Sequence, residues 1–180
     1  MKFAVIDTET NWDNEVMSIG VVIAEDGDFE ALESKYIIIE KAAKRGGMFS
    51  NTLWVKGQDP EVTDREGAIA GLIEFLNENQ AKDVFAYNAA FDNRCLPELC
   101  EYEWHDILKM AAYKQHNPAI PECAKCCGTG RLKSGYRVEN ILCMFGEHDY
   151  CEQHNALTDA VDELRIMKYL KHSIDKYPVL

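Results

Sequence analysis

The strongest constraint on the fold is the run of β-type segments that opens the chain. Residues 2–7, 17–24 and 31–39 are rich in β-branched and aromatic side chains and are separated by polar turns. Glu25-Asp26-Gly27-Asp28 is a favourable hairpin turn between the last two segments. This pattern predicts a three-stranded antiparallel meander.

Helical patterns alternate with a further strand after the meander. The Asp59-Pro60 helix-start signal precedes a helical apolar period that ends at the polar residues 77–80. Residues 83–87 are typical of a short buried strand, and the period becomes helical again from Asn88.

More helices are predicted over Trp104 to Lys114, Tyr136 to about Phe145, and Asn155 to about Ser173. The whole order favours an α/β fold, in which a mixed sheet is flanked by helices.

Composition indicates a single domain over residues 1–180. The chain of 180 residues is 47% hydrophobic, enough for one sizeable core, and residues 115–135 form an irregular, cysteine-containing insertion. The net charge of −12 argues against a basic nucleic-acid coat or a basic membrane-surface protein, but not against an enzyme that meets phosphates through cations.

The chain has seven cysteines, an odd number, and no leader or membrane span is predicted. We therefore expect a cytoplasmic protein whose thiols are reduced.

Acidic residues stand at three separated positions that the predicted fold can bring together. Asp7 and Glu9 lie two residues apart at the end of the first strand, so both side chains point to one face. Asp92 is predicted in the first turn of the helix after the 83–87 strand, and Asp159 in the opening turns of the last long helix. Each alone has a simpler role as a turn or helix-dipole residue.

Gathered in one place, four carboxylates would repel one another by about 1–4 kcal/mol per close pair unless cations lay between them. Oxygen ligands suit Mg²⁺ or Mn²⁺, and two such ions can stabilise the attacking and leaving oxygens of a phosphoryl displacement. The acids therefore predict phosphodiester hydrolysis.

The same residues carry a resemblance to a known family. The segments Phe3-Ala4-Val5-Ile6-Asp7-Thr8-Glu9-Thr10, Tyr87-Asn88-Ala89-Ala90-Phe91-Asp92 and His154-Asn155-Ala156-Leu157-Thr158-Asp159 resemble, in order, the three motifs of the DEDDh (DnaQ-like) 3′→5′ exonucleases. The resemblance implies a ribonuclease H-like fold and two divalent metals, Mg²⁺ or Mn²⁺, held by Asp7, Glu9, Asp92 and Asp159. It also implies that His154 is the general base for the attacking water. An imidazole just before the last helix is chemically suited to that task, because it can accept a proton at neutral pH.

Substrate contacts are expected around these motifs. The candidates are Thr10, Trp12, Asn88 and Phe91. After Glu9-Thr10 the family usually continues with Thr or Ser and Gly, whereas this chain has Asn11-Trp12, a departure that concerns substrate placement rather than metal binding. Trp12 either stacks on a terminal base or covers the core, and Phe91 has packing as its alternative role.

The insertion contains a second motif. Cys123-Ala124-Lys125-Cys126-Cys127-Gly128-Thr129-Gly130 resembles the Cys-x-x-Cys-x-Gly-x-Gly knuckle of DnaJ-type chaperones, which bind zinc through pairs of such units. Only one unit is present, so a structural Zn²⁺ on Cys123 and Cys126 needs two more ligands from Cys127, Cys143, Cys151 or His148. Reduced loop thiols or a redox pair are the alternatives.

The sequence thus predicts a metal-dependent exonuclease that acts on 3′ ends of single-stranded DNA or RNA and releases nucleoside 5′-monophosphates. The alternative is a proofreading or processing subunit that acts mainly by binding a polymerase or another partner. The choice between DNA and RNA depends on contacts to the 2′-hydroxyl, which the motifs do not specify.

Overall fold

The computed structural model describes all 180 residues, and its frame is one six-stranded mixed sheet packed between helices. The strands are β1 (Lys2–Thr10), β2 (Val16–Glu25), β3 (Ala31–Ile39), β4 (Glu61–Thr63), β5 (Asp83–Ala86) and β6 (Glu103–Asp106). The helices are α1 (Glu40–Arg45), α2 (Arg65–Glu78), α3 (Ala90–Cys95), α4 (Leu108–Ala111), α5 (Val138–Met144) and α6 (Ala156–Leu170).

The strand order across the sheet is β4-β3-β2-β1-β5-β6. β1, β2 and β3 pair antiparallel, while β5 pairs parallel with both β1 and β6, and β4 pairs parallel with β3. β1 is therefore central, and the carboxyl ends of β1, β5 and β6 meet at the same edge of the sheet.

Successive side chains of β1 point to opposite faces of the sheet and pack into two different hydrophobic cores. Ala4 and Ile6 point into the core beneath α2, and Phe3 and Val5 into the core beneath α4, α5 and α6. All four side chains are fully buried, because the central strand is covered on both faces. The mixed α/β sheet with its three-stranded meander is confirmed.

Two predicted helix boundaries are wrong. Helix α2 begins at Arg65 rather than at Asp59-Pro60, because residues 61–63 pair with β3 and Asp64 supplies the cap. The Asp64 carboxylate accepts a hydrogen bond of 2.8 Å from the backbone N–H of Gly67.

The helix predicted over Trp104 to Lys114 is replaced in its first part by a strand. Residues 103–106 form β6, which pairs in register with β5, and only Leu108–Ala111 is helical. A strand of four residues is too short for its period to stand out against the helical pattern that follows it.

The 115–135 segment contains no helix or strand but is anchored to the domain. Ile120 and Leu132 are buried in the core beneath α6, and Cys126 forms an isolated bridge with Leu132. None of the helices combines the length and apolar character needed to cross a membrane.

Candidate active site

Strand β1 delivers the first two carboxylates to the sheet edge. Asp7 pairs with Gly20 and Glu9 with Ser18 across the antiparallel ladder, so both acidic side chains lie on the same face. β1 reaches Thr10 instead of ending at Asp7, so Glu9 still pairs with β2, and the register shifts between Glu9 and Thr10.

The second motif places Asp92 behind this pair. Asp92 lies in the first turn of α3 and is almost fully buried, and its carboxylate accepts a hydrogen bond of 2.7 Å from the Thr8 hydroxyl. The turn before α3 is held by Asp106 at the end of β6, whose Oδ1 accepts a hydrogen bond of 3.1 Å from the Asn88 N–H.

The third motif is positioned by a close contact between α6 and β2. A Cβ atom added to Gly20 would lie 2.2 Å from backbone atoms of Ala156, so only glycine permits this approach. Asn155 caps α6 through Thr158 and also donates hydrogen bonds to the Thr52 carbonyl at 2.8 Å and the Tyr36 hydroxyl at 3.0 Å. These contacts fix the first turns of α6, which carry the buried Asp159.

His154 lies immediately before this cap and faces the acids. Its imidazole stacks on Phe49 with ring centroids 3.8 Å apart, and its carbonyl accepts a hydrogen bond from the Thr52 hydroxyl. The backbone φ of His154 is +53°, in the left-handed region.

These elements enclose a cleft of about 400 Å³. Potential ligand atoms of Glu9, His154 and Asp159 lie within 4.8 Å of one another. The lining residues are Asp7, Thr8, Glu9, Thr10, Asn11, Trp12, Met48, Phe49, Phe91, Glu152, His154 and Asp159.

The cleft includes most of the residues that the sequence singled out. Thr10, Trp12 and Phe91 belong to its lining, whereas Asn88 is exposed on the turn after β5 and does not. Trp12 is 68% exposed.

The loop that presents Trp12 is folded by its neighbour Asn11. The Asn11 carboxamide oxygen accepts hydrogen bonds of 2.9 Å from the N–H groups of Asp13 and Glu15. The departure from the usual Thr/Ser-Gly sequence thus builds a local turn that leaves the indole facing outward.

Burial and mutual repulsion raise the pKa of the clustered carboxyl groups. Desolvation, followed by nearby charges, raises the pKa of Glu9 to about 7 and that of Asp159 to about 8. Desolvation also raises the pKa of Asp92 to about 7, against the hydrogen bond from Thr8, which lowers it. The pKa of Asp7 is raised well above its ordinary value by burial and then by the charge of Glu163.

The donor set fits a hard divalent cation. Asp7 Oδ2 and Asp159 Oδ1 are buried and have no hydrogen-bond partner. Unpartnered carboxylate oxygens that face one another are costly alone and are suitable ligands for Mg²⁺ or Mn²⁺. Asp7, Glu9, Asp92 and Asp159 could therefore hold the implied metals.

Several residues of the site belong to no motif or pattern from which the sequence alone would predict their position. Phe49 and Met48 lie in the irregular segment between α1 and β4, and their place beside His154 depends on tertiary packing. Glu152 adds another carboxylate to the cleft. Glu163 is buried one helical turn after Asp159, and its Oε2 accepts a hydrogen bond of 2.9 Å from the Tyr87 N–H.

A larger cavity, of about 950 Å³, adjoins the cleft rather than coinciding with it. Phe91 lines both spaces, and Lys41, Arg65 and Arg94 are the basic side chains of the larger one. Of the four candidate metal ligands, Asp7, Glu9 and Asp159 line the smaller cleft, and Asp92 lines neither space.

The cysteine knuckle lies elsewhere and is not brought together with further ligands. No cluster of three or more potential metal ligands includes Cys123 or Cys126, and all seven cysteines are free thiols. Cys143 Sγ contacts His148 Nδ1 at 3.4 Å on the surface. Zinc binding at the knuckle stays a prediction.

Solved structures share this architecture. The nuclease domain of 3′hExo, a DEDDh family member bound to rAMP, superposes with a TM-score of 0.70 at 13% sequence identity over 99% of this chain and 96% of that chain. A 3′-exonuclease in a complex for 3′-end-specific recognition of histone mRNA stem-loop gives a TM-score of 0.68 at 13% identity, over 99% and 70%. The chain has the fold of these exonucleases.

E. coli exonuclease I in complex with an oligonucleotide also has this fold, with a TM-score of 0.62 at 15% identity over 94% of this chain and 40% of that chain. No family model matches the sequence. No curated protein matches it either. The ribonuclease H-like fold and the resemblance to DEDDh structures are confirmed, and at these identities the likeness concerns the fold.

Proposed function

We propose that this chain is a divalent-metal-dependent 3′→5′ exonuclease that hydrolyses single-stranded nucleic acid and releases nucleoside 5′-monophosphates. The observation that carries the proposal is the cleft in which Glu9, Asp159 and His154 meet beside the unpartnered oxygen of Asp7. A nuclease needs ligands for cations that neutralise a phosphate and a group that accepts a proton, and this cleft offers both.

Asp7, Glu9, Asp92 and Asp159 are proposed to hold two Mg²⁺ or Mn²⁺ ions. When bound, such ions neutralise the phosphate and stabilise charge on the attacking and leaving oxygens. Thr8 fixes Asp92 by donating its hydroxyl hydrogen, so the buried ligand has one preferred orientation.

His154 is proposed to accept the proton of the water that attacks the phosphorus. Its position suits that role, because the imidazole is within 4.8 Å of carboxylate oxygens of Glu9 and Asp159 but belongs to a different segment. Stacking on Phe49 limits rotation of the ring and keeps its nitrogen atoms directed at the cleft.

Thr10, Trp12 and Phe91 are proposed to contact the 3′-terminal nucleotide. They line the cleft next to the acids, and a base–aromatic stack on the exposed indole of Trp12 is worth about 1–3 kcal/mol. A substrate role for Asn88 rests on the motif alone. The volume of about 400 Å³ is in the range of small-ligand sites, which favours a single terminal nucleotide over a duplex.

The test is cleavage of 5′-labelled single-stranded RNA and DNA of one sequence with Mg²⁺ or Mn²⁺. We expect a ladder shortened from the 3′ end, 5′-monophosphate products, and inhibition by a 3′-phosphate. Asp159→Asn should lower the rate on the order of 10²-fold or more, whereas Asp28→Asn, at an exposed turn, should leave it unchanged.

Internal cuts, or no cleavage with either nucleic acid and either metal, would contradict the proposal. Strong turnover by the chain alone would also argue against a subunit that acts mainly by binding a polymerase. The ratio of the RNA and DNA rates decides the substrate class.

A further inference from the structure

A second group of potential metal ligands lies at the opposite end of the sheet from the cleft. Asp83 begins β5 and Glu103 begins β6, and these parallel strands align the two residues directly. His105 stands two residues after Glu103 on the same face of β6. Potential ligand atoms of all three side chains lie within 4.8 Å of one another.

The imidazole of His105 is held in one orientation. Its Nδ1 is 3.1 Å from the Tyr177 carbonyl oxygen, which can only accept, so Nδ1 carries a hydrogen and Nε2 faces the carboxylates. The ring stacks on Phe85 with centroids 4.6 Å apart, and the side chain is only 6% exposed. A histidine that donates one ring N–H to a carbonyl while the other nitrogen faces carboxylates is the usual arrangement of a metal ligand.

The distances fit a tetrahedral ion. His105 Nε2 is 3.3 Å from Asp83 Oδ1 and 3.5 Å from Glu103 Oε1. Ligands bound to Zn²⁺ at about 2.0–2.1 Å in tetrahedral geometry are about 3.3–3.4 Å apart. Direct hydrogen bonds between a protonated imidazole and a carboxylate are shorter, at about 2.7–2.9 Å.

We propose that Asp83, Glu103 and His105 form a second, three-ligand metal site that binds zinc, with the fourth position open to water. One nitrogen and two carboxylate oxygens are a donor set that zinc accepts, and an imidazole selects zinc over Mg²⁺. Glu103 is 60% exposed, which gives the ion a route from solvent.

This site would join three parts of the chain. Leu180 donates its N–H to the Trp104 carbonyl at 3.0 Å, and Asp106 donates its own to the Pro178 carbonyl at 3.1 Å, so the last residues lie along β6. Because the Tyr177 carbonyl orients His105, a bound ion would stabilise β5, β6 and this C-terminal segment together.

The site is tested in the full chain with competing sites removed. The background variant carries Asp7→Asn, His154→Ala, Cys123→Ser and Cys126→Ser, so that the cleft loses its imidazole and one carboxylate and the cysteine knuckle loses both thiols. Zinc is measured by equilibrium dialysis with metal analysis in excess Mg²⁺, and thermal unfolding is followed with and without zinc. Glu103→Gln is compared in this background with Glu101→Gln, an exposed glutamate two residues away that is outside the cluster.

We expect one equivalent of zinc and a higher melting temperature in the background and in Glu101→Gln. Glu103→Gln should weaken binding by on the order of 10–100-fold or more and abolish the shift. Because Glu103 is exposed, this variant should fold normally, which its melting curve without zinc verifies. No zinc in the background variant, or equal binding by both glutamine variants, would overturn the proposal and leave a proton between His105 and the carboxylates.

Discussion

His154 owes its position to contacts made by other parts of the chain rather than to its own conformational preference. A φ of +53° is uncommon for a residue with a side chain and costs on the order of 1 kcal/mol. Thr52 holds the carbonyl of His154, and Asn155 next to it holds the carbonyl of Thr52. The strained residue is therefore fixed from two sides, which suits the proposed role of His154 as a general base.

Replacing His154 by Ala should lower kcat by roughly 10²–10⁴-fold, which is the usual contribution of a general base. Single-turnover kinetics give the rate, and calorimetry of Mn²⁺ binding gives the affinity of the carboxylates, which should change little. His148→Ala removes an exposed histidine outside the cleft and is the matched control. A large loss of Mn²⁺ affinity in His154→Ala would instead identify the imidazole as a metal ligand.

Phe49 should act through His154. Phe49→Leu removes the stacked ring, and since an aromatic pair contributes about 0.5–1.5 kcal/mol, we expect kcat to fall by roughly 2- to 10-fold. Phe49→Tyr keeps the ring and should restore the rate. The pH profile of kcat separates positioning from simple loss of folding, because a free imidazole would change the profile while a stability defect would not. Equal rates for the Leu and Tyr variants would contradict the positioning role.

At the scale of elements, the contact of α6 with β2 at Gly20 places Asp159 opposite Asp7. Gly20→Ala would put a Cβ atom 2.2 Å from the Ala156 backbone, which must then move away. We expect a loss of about 1–3 kcal/mol or more in the free energy of unfolding and a marked loss of nuclease activity.

The control for this variant is Gly71→Ala in the middle of α2. An added Cβ atom there meets the end of the flexible Lys35 side chain at 3.2 Å, and alanine favours a helix by up to about 1 kcal/mol over glycine. Denaturant unfolding should therefore find it neutral or slightly stabilising. If Gly20→Ala proved equally neutral, the close approach would not be what fixes α6.

The sequence predicts best those elements whose bounds are set by local residue preferences, turns and helix caps. The bounds of β3 follow from its β-type residues and a hairpin turn, and α6 follows from a long helical period with Asn155 as its cap. The sequence does not indicate β6, because its four residues become a strand only by pairing with β5. Helix α2 begins after the predicted start at Asp59-Pro60, because the residues after Pro60 form β4 and pair with β3.

The same distinction holds within the candidate site. Carboxylates at Asp7, Glu9, Asp92 and Asp159 stand out in the sequence through their position after strands or within helices. Phe49 and Glu163 do not, since an aromatic residue in a loop and a glutamate in a helix are common in many roles. Their place at the site arises from long-range packing, which a local pattern does not encode.

At the scale of the whole molecule, a chain with a net charge of −12 concentrates buried carboxyl groups at one edge of its sheet. Without a cation, these groups are destabilised as anions by burial and by one another, which is why their pKa values are raised. Protons and metal ions therefore compete for the same oxygens, so the metal-free fold and the metal-loaded fold should differ in their response to pH.

In the metal-free chain, stability should fall as the pH rises from about 4 towards 8. The unfolded chain releases these protons near the ordinary values of 4.5 for Glu9 and 3.8 for Asp159, but the folded chain keeps them until about 7 and about 8. The folded state thus binds more protons within this window, and stability present below the ordinary values is lost as the pH passes the folded ones. We expect a loss of several kcal/mol, measured by denaturant unfolding in chelator across the window. Mn²⁺ should restore stability at pH 8, because the ions take the place of the protons.

Asp7→Asn should flatten the pH dependence in chelator by removing one repulsive charge, and the exposed Asp28→Asn should not. Equal slopes for these two variants would mean that charge repulsion at the cleft does not set the stability of the metal-free protein.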